Sequence, residues 1–325
     1  MVGEGFQFMQ VPLSCPEERL DVAVEKGLSL PQKALSSTFF YDAEGSRLFQ
    51  AITRLPEYYL TRCETEILLG SAEEIITCAG QNLQIIEFGS GSSEKTRLLL
   101  RAALAGGSRE YVTIDISSEF LLASVRELVA ELPDLAITAL AGDYFESIAV
   151  LPPHDGPRLF LFLGSTIGNF ERHSAIEFMH AVGAHMTVAD SFLIGTDLRK
   201  DPAIIQPAYD DAEGLTARFN KNILARINHD LGGRFDLDSF EHSAPWVEEW
   251  SRIEMRLVST VCQEVCVESL NRSFHFGAGE SIHTENSHKW SLKDFDQMIA
   301  ASGLRLRQRW TDSKGWFALH MCGLA

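Results

Sequence analysis

The chain is short of positive charge. Its 28 lysines and arginines stand against 45 aspartates and glutamates, a formal net charge of −17 over 325 residues. A surface this acidic repels phosphate backbones and anionic lipid, so neither nucleic acid nor membrane is an expected partner. Long apolar runs are missing too: nothing approaches the roughly 20 residues that a membrane helix needs. The opening MVGEGFQFMQVPLSCPEERL lacks a basic start followed by an apolar core. No secretory signal is read there, and a cytoplasmic location is expected. Cysteines are few and scattered. Of Cys15, Cys63, Cys78, Cys262, Cys266 and Cys322, only Cys262 and Cys266 lie close, with His275 beyond. That spacing suits ordinary thiols in a reducing compartment, and no metal site is expected. Internal repeats and low-complexity tracts are absent as well.

What remains is a globular composition, 45% hydrophobic and 22% charged. The length calls for one large or two intertwined domains. Short apolar runs at 83–88, 111–116, 135–140, 158–163 and 191–194 read as buried parallel strands, the fourth of them central. Helical patterns such as 95–104 and 174–185 separate them. This alternation predicts a doubly wound α/β sheet. Upstream, Thr61-Arg62-Cys63-Glu64 reads as a capping box that opens a helix with Ile67, Leu68, Ile75 and Ile76 on one face. Tyr58 and Tyr59 then fall in the loop before it.

After the fifth strand the rhythm breaks. Residues 200–285 combine a polar helix over 216–228, a turn at Gly232-Gly233 and alternating strands such as 253–261, the pattern of a second lobe. Ser291 then caps a helix with Leu292, Phe295, Met298 and Ile299 inward, ended by Gly303. A hairpin of strands 304–310 and 316–321 is expected to complete the sheet with an antiparallel edge. The predicted division is a Rossmann-like core over 61–199, completed by 288–325, with a lobe from 1–60 and 200–287.

In open α/β sheets, ligands bind beyond the carboxyl ends of the strands. The first strand of the alternating set ends in Glu87-Phe88-Gly89-Ser90-Gly91-Ser92-Ser93-Glu94-Lys95-Thr96. Gly89 and Gly91 allow close backbone approach to a cofactor. Asp115 ends the second strand, placed to accept from ribose hydroxyls, and Asp143 follows the third, placed for an adenine amino group. The third glycine of a dinucleotide fingerprint is replaced by Glu94, and no Walker pattern exists. An acid before the loop and acids after the next two strands suit S-adenosylmethionine, which is cationic at sulfur and has no phosphate.

Longer motifs add to this. "Phe40-Tyr41-Asp42-Ala43-Glu44-Gly45-Ser46", "Ile52-Thr53-Arg54-Leu55-Pro56-Glu57-Tyr58-Tyr59" and "Phe162-Leu163-Gly164-Ser165-Thr166-Ile167-Gly168-Asn169" resemble the histidine-specific Nα-methyltransferases of ergothioneine biosynthesis. So do "Gly195-Thr196-Asp197-Leu198", "Ala208-Tyr209-Asp210-Asp211" and "Arg252-Ile253-Glu254-Met255". The likeness runs in order from about Leu28 to the C-terminus. It implies a class I methyltransferase fold with a second, substrate-binding lobe, the amino acid lying between the two. It also implies three methyl transfers from S-adenosylmethionine to the α-amine of L-histidine, giving hercynine.

Carried over residue by residue, the resemblance implies that Tyr58 and Tyr209 bond the substrate carboxylate. Asn169 holds the α-amine, Gly164 lines its side, Tyr41 faces it, and Phe49 walls the pocket. Glu285 and Ser287, two positions apart, grip the ring nitrogens, and Met255 packs on the ring. Lys95 lies near the methionine portion of the cofactor, and Asp143-Tyr144 bracket the adenine. The protein is expected to act as a monomer. The nearest rival is a relative acting on another amino acid such as tryptophan, against which Glu285 and Met255 argue. A nicotinamide-dependent oxidoreductase and a non-catalytic binder are further alternatives.

Overall fold

A computed structural model describes residues 5–12 and 19–325; Cys15 and part of the N-terminal stretch read for a signal lie outside them. In chain order the elements are β1 (Phe6–Gln10), α1 (Leu20–Leu28), α2 (Ala43–Ile52), α3 (Tyr59–Ala79), β2 (Gln84–Phe88), α4 (Thr96–Ala105), β3 (Glu110–Asp115) and α5 (Ser118–Glu131). Next come β4 (Ala136–Ala141), α6 (Tyr144–Ala149), β5 (Arg158–Phe162), α7 (Arg172–Ala184), β6 (Ser191–Asp197), α8 (Pro202–Ile205), α9 (Leu215–Leu231), β7 (Phe240–Ser243) and β8 (Trp246–Val247). The chain ends with β9 (Arg252–Ser259), β10 (Gln263–Val267), β11 (Arg272–Phe276), β12 (Ser281–His288), α10 (Leu292–Ala301), β13 (Leu304–Thr311) and β14 (Phe317–Leu324).

These elements form two units. The first takes in β1, Leu60–Arg199 and Lys289–Ala325. Its sheet has eight strands in the order β1-β4-β3-β2-β5-β6-β14-β13. The strands from β1 to β6 pair in parallel, while β14 runs antiparallel to both β6 and β13. This is the Rossmann-like class expected, with the C-terminal hairpin at its edge. Strands covered on both faces are mostly apolar: β5 buries Leu159 to Phe162, and β2 beside it at the middle of the sheet buries Ile85, Ile86 and Phe88 together with Gln84 and Glu87. Ile86, Phe88, Phe160, Phe162, Phe178 and Phe192 form the centre of the core. The order turns at β2, with β3 on one side and β5 on the other. That reversal makes the ends of β2 and β5 the switch point.

Ser291 caps α10 as expected, accepting the Asp294 N–H. Two expectations fail in this unit. Residues 1–60 are not all in the second lobe, because Phe6–Gln10 pairs in parallel with β4. The capping box at Thr61 does not exist either. Helix α3 already begins at Tyr59, and Glu64 is committed elsewhere, to Lys95 and to the Gly164 N–H.

The second unit runs from α1 to Tyr59 and over Lys200–His288. Its main sheet has the order β12-β9-β7, with β8 also on β9, and β10 pairs with β11 alone. A register shift between His283 and Glu285 puts a bulge into β12 opposite β9. Asp211 accepts the N–H groups of Leu215 and Thr216 at the start of α9, which ends at Gly232 in a left-handed turn. Asn222 of α9 donates to Asp42 and to the Phe40 carbonyl, and so fixes the start of α2.

Candidate active site

The first unit carries the cofactor candidates. Gly89 and Gly91 both adopt positive φ, +68° and +53°, which L side chains rarely tolerate. A Cβ on Gly89 would stand 2.6 Å from the Tyr144 hydroxyl, so a hydrogen is the only side chain that fits between loop and ring. Asp115 at the end of β3 accepts the Gly91 N–H at 3.0 Å and the Ser117 N–H at 2.9 Å. Burial raises its pKa, and the backbone donors partly offset this. Asp143 accepts the Phe145 N–H at 2.7 Å, capping α6. Burial pushes the Tyr144 phenol well above its usual range, helped by the nearby Asp115 and Asp143 charges.

Under the loop lies a network the sequence did not disclose. Glu87, the acid before the glycines, is buried and accepts from the Thr96 and Tyr111 hydroxyls. Tyr111 also meets Ser93 at 3.2 Å, and Thr113 donates to Ser90. Burial lifts Glu87 to about 7, against the pull of these hydroxyls. The acid therefore braces the loop from beneath. After β5, Gly164 (φ +77°) and Ser165 (φ +60°) turn the chain into a 3-10 segment, Thr166–Asn169. Gly164 donates its N–H to both oxygens of Glu64, at 2.9 and 3.0 Å.

The second unit carries the amino-acid candidates. The Tyr58 ring meets the Phe49 ring at 6.1 Å and the Tyr209 ring at 6.4 Å, both edge-on. Tyr41 packs on Phe49 at 5.7 Å. Phe219 of α9 touches both Tyr41 and Phe49; it sits on a polar helix, and its spacing gave no sign of this. The Tyr209 hydroxyl lies 2.8 Å from the Ser287 hydroxyl. Glu285 and Ser287 share one face of β12, and Glu285 is the cross-strand partner of Met255. Glu285, Ser287, Tyr58, Tyr209 and Met255 are all buried. The seven candidates Tyr41, Phe49, Tyr58, Tyr209, Met255, Glu285 and Ser287 thus fall in one unit.

His242 acts as a buttress to Tyr209. Its Nε2 stands 2.8 Å from the Tyr209 carbonyl, which can only accept, so this nitrogen carries the proton. Its Nδ1 then accepts from the Asn220 amide at 2.8 Å. Thr284 donates to Asn220 Oδ1 at 2.7 Å. Burial holds the His242 pKa below the ordinary imidazole range. The relay ties the Tyr209 backbone to the residue before Glu285.

Comparison with known proteins decides what this arrangement belongs to. The family described as "Histidine-specific methyltransferase, SAM-dependent" matches residues 20–324. The chain belongs to this family. It is 43% identical over 305 residues to the histidine N-alpha-methyltransferase of Mycolicibacterium smegmatis, covering 94% of each chain. It is 44% identical over 300 residues to that of Mycobacterium tuberculosis, covering 92% of each. Ergothioneine biosynthesis protein 1 of Schizosaccharomyces pombe is 31% identical over 86% of this chain and 37% of its own. As a family member the protein is an S-adenosylmethionine-dependent N-methyltransferase. The residues present fit that cofactor: two left-handed glycines leave the loop backbone bare, and an acid ends β3. Among the described residues no helix is long and apolar enough to cross a membrane.

Proposed function

We propose that this protein transfers three methyl groups in succession to the α-amine of L-histidine, giving hercynine for ergothioneine synthesis. S-adenosylmethionine, held by Gly89, Gly91, Lys95, Asp115, Asp143 and Tyr144, supplies an electrophilic methyl on a cationic sulfur. Tyr58 and Tyr209 hold the substrate carboxylate. Two neutral phenols suit that anion without adding charge. Glu285 faces one ring N–H and Ser287 the other ring nitrogen, with Met255 against the ring.

An α-amine is mostly protonated near neutral pH and must lose a proton to attack. Desolvation lowers an amine pKa, so no strong dedicated base is needed. Asn169 and Tyr41 orient the lone pair, and Gly164 leaves room for the nitrogen as it gains bulk. Alignment of this kind supplies up to about 7–11 kcal/mol in the best cases.

The observation that carries this reading is the shared face of β12, with Glu285 and Ser287 on it and Tyr209 bonded to Ser287. An acid and two hydroxyls so placed match the polar ends of histidine. A second reading follows from a 4-dimethylallyltryptophan N-methyltransferase of Trichophyton verrucosum, 24% identical over 94% of this chain. An indole offers one ring N–H and no second ring nitrogen, so it cannot answer both Glu285 and Ser287, and a mismatch of this kind typically costs about 1–3 kcal/mol. Calorimetry tests the choice: histidine is expected to bind and tryptophan far more weakly. Equal heats for the two would reject it.

A further inference from the structure

Glu64 is an α3 carboxylate with no exposed surface, set against the segments that follow β2 and β5 and against β6 itself. Both its oxygens accept the Gly164 N–H beyond β5. One of them pairs with Lys95 Nζ, from the loop beyond β2. A Cβ on Gly195 of β6 would overlap the other. Lys95 closes the group, its Nζ standing 3.4 Å from where a Cβ on Gly164 would be. The lysine side chain is 23% exposed and the glutamate 0%. The cation therefore has an open side and the anion has none.

A buried carboxylate is costly unless paired. A glutamine could accept the Gly164 N–H equally well; only the carboxylate supplies charge. The methyl donor is positive at sulfur, whereas its product, S-adenosylhomocysteine, is neutral there. A lysine without its counter-charge would repel the donor and spare the product.

We propose that Glu64 is a positioning residue: it neutralises Lys95, and so sets the preference of the site for the sulfonium donor over its neutral thioether product, while pinning the Gly164 turn. This rests on the methyltransferase reading above. The test is calorimetric titration of both ligands into the wild type, Glu64→Gln, Lys95→Met and the double variant, with melting temperatures alongside. Glu64→Gln is expected to weaken S-adenosylmethionine about tenfold relative to S-adenosylhomocysteine. Lys95→Met moves the ratio the other way, and the double variant returns it towards wild type. A purely structural carboxylate would lower the melting temperature and weaken both ligands by one factor. An unmoved ratio overturns the proposal. If Glu64→Gln does not fold, Lys95→Met carries the test by the same ratio. A wild type that binds neither ligand overturns the methyltransferase reading and this proposal together. A wild type that binds both, with the ratio unmoved in the variants, overturns this proposal alone.

Discussion

Tyr209 and Ser287, 78 residues apart in sequence, hydrogen-bond to each other through their hydroxyls at 2.8 Å. One is assigned to the carboxylate end of the substrate and the other to the ring. On that proposed assignment, their contact would couple the two recognition tasks. We expect Tyr209→Phe and Ser287→Ala each to weaken histidine binding, and the double variant to lose less than the sum. The coupling should be about 1 kcal/mol, the size of a neutral hydrogen bond. Strict additivity in a calorimetric double-mutant cycle would mean that the pair acts independently.

On the proposed reading, Glu285 carries the ring specificity. Glu285→Ala is expected to cut histidine affinity by tenfold to several hundredfold, with little change in S-adenosylhomocysteine affinity. Histidine affinity equal to wild type would remove Glu285 from the site.

Gly89→Ala places a methyl 2.6 Å from the Tyr144 hydroxyl on a backbone at φ +68°. We expect a stability loss of about 1–3 kcal/mol, together with a larger loss of cofactor affinity as Tyr144 is displaced. A variant that binds S-adenosylhomocysteine as wild type does would show that the loop can shift freely.

Two buried groups set opposing pH trends in stability. His320 accepts from Arg309 and donates to Thr196, and burial pulls its pKa down from 6.5 to about 3. Between those values the unfolded chain takes a proton that the folded one refuses. Stability therefore falls with falling pH, by up to about 1.4 kcal/mol per unit. Glu87 is raised from 4.5 to about 7. Its contribution is full below 4.5 and is lost as pH rises through 7. Denaturant unfolding of wild type against His320→Gln should show the variant gaining on wild type from pH 6.5 down to 3. Against Glu87→Gln, the wild type should lose ground as pH rises from 4.5 to 7. A pH-independent difference in either comparison contradicts the assignment.

Much of the fold was legible because β2, β3 and β5 are short, largely apolar runs that alternate with helical patterns, as a doubly covered sheet requires. Ser291 was legible because its cap is local. Glu64 was misread for the same reason: the spacing Thr61 to Glu64 fits a capping box, while its real partner, the Gly164 N–H, is 100 residues away. β1 escaped because it is a lone five-residue strand at the sheet edge. The candidate site residues were nominated by long motifs, whereas Phe219, His242 and Asn220 act through packing and long-range bonds that no local pattern announces.

The most direct test is to incubate purified protein with L-histidine and S-adenosylmethionine carrying labelled methyl groups, then fragment the product in a mass spectrometer. The account predicts a histidine bearing three labelled methyls, all on the α-nitrogen. Unmodified histidine, or label on a ring nitrogen, would contradict it.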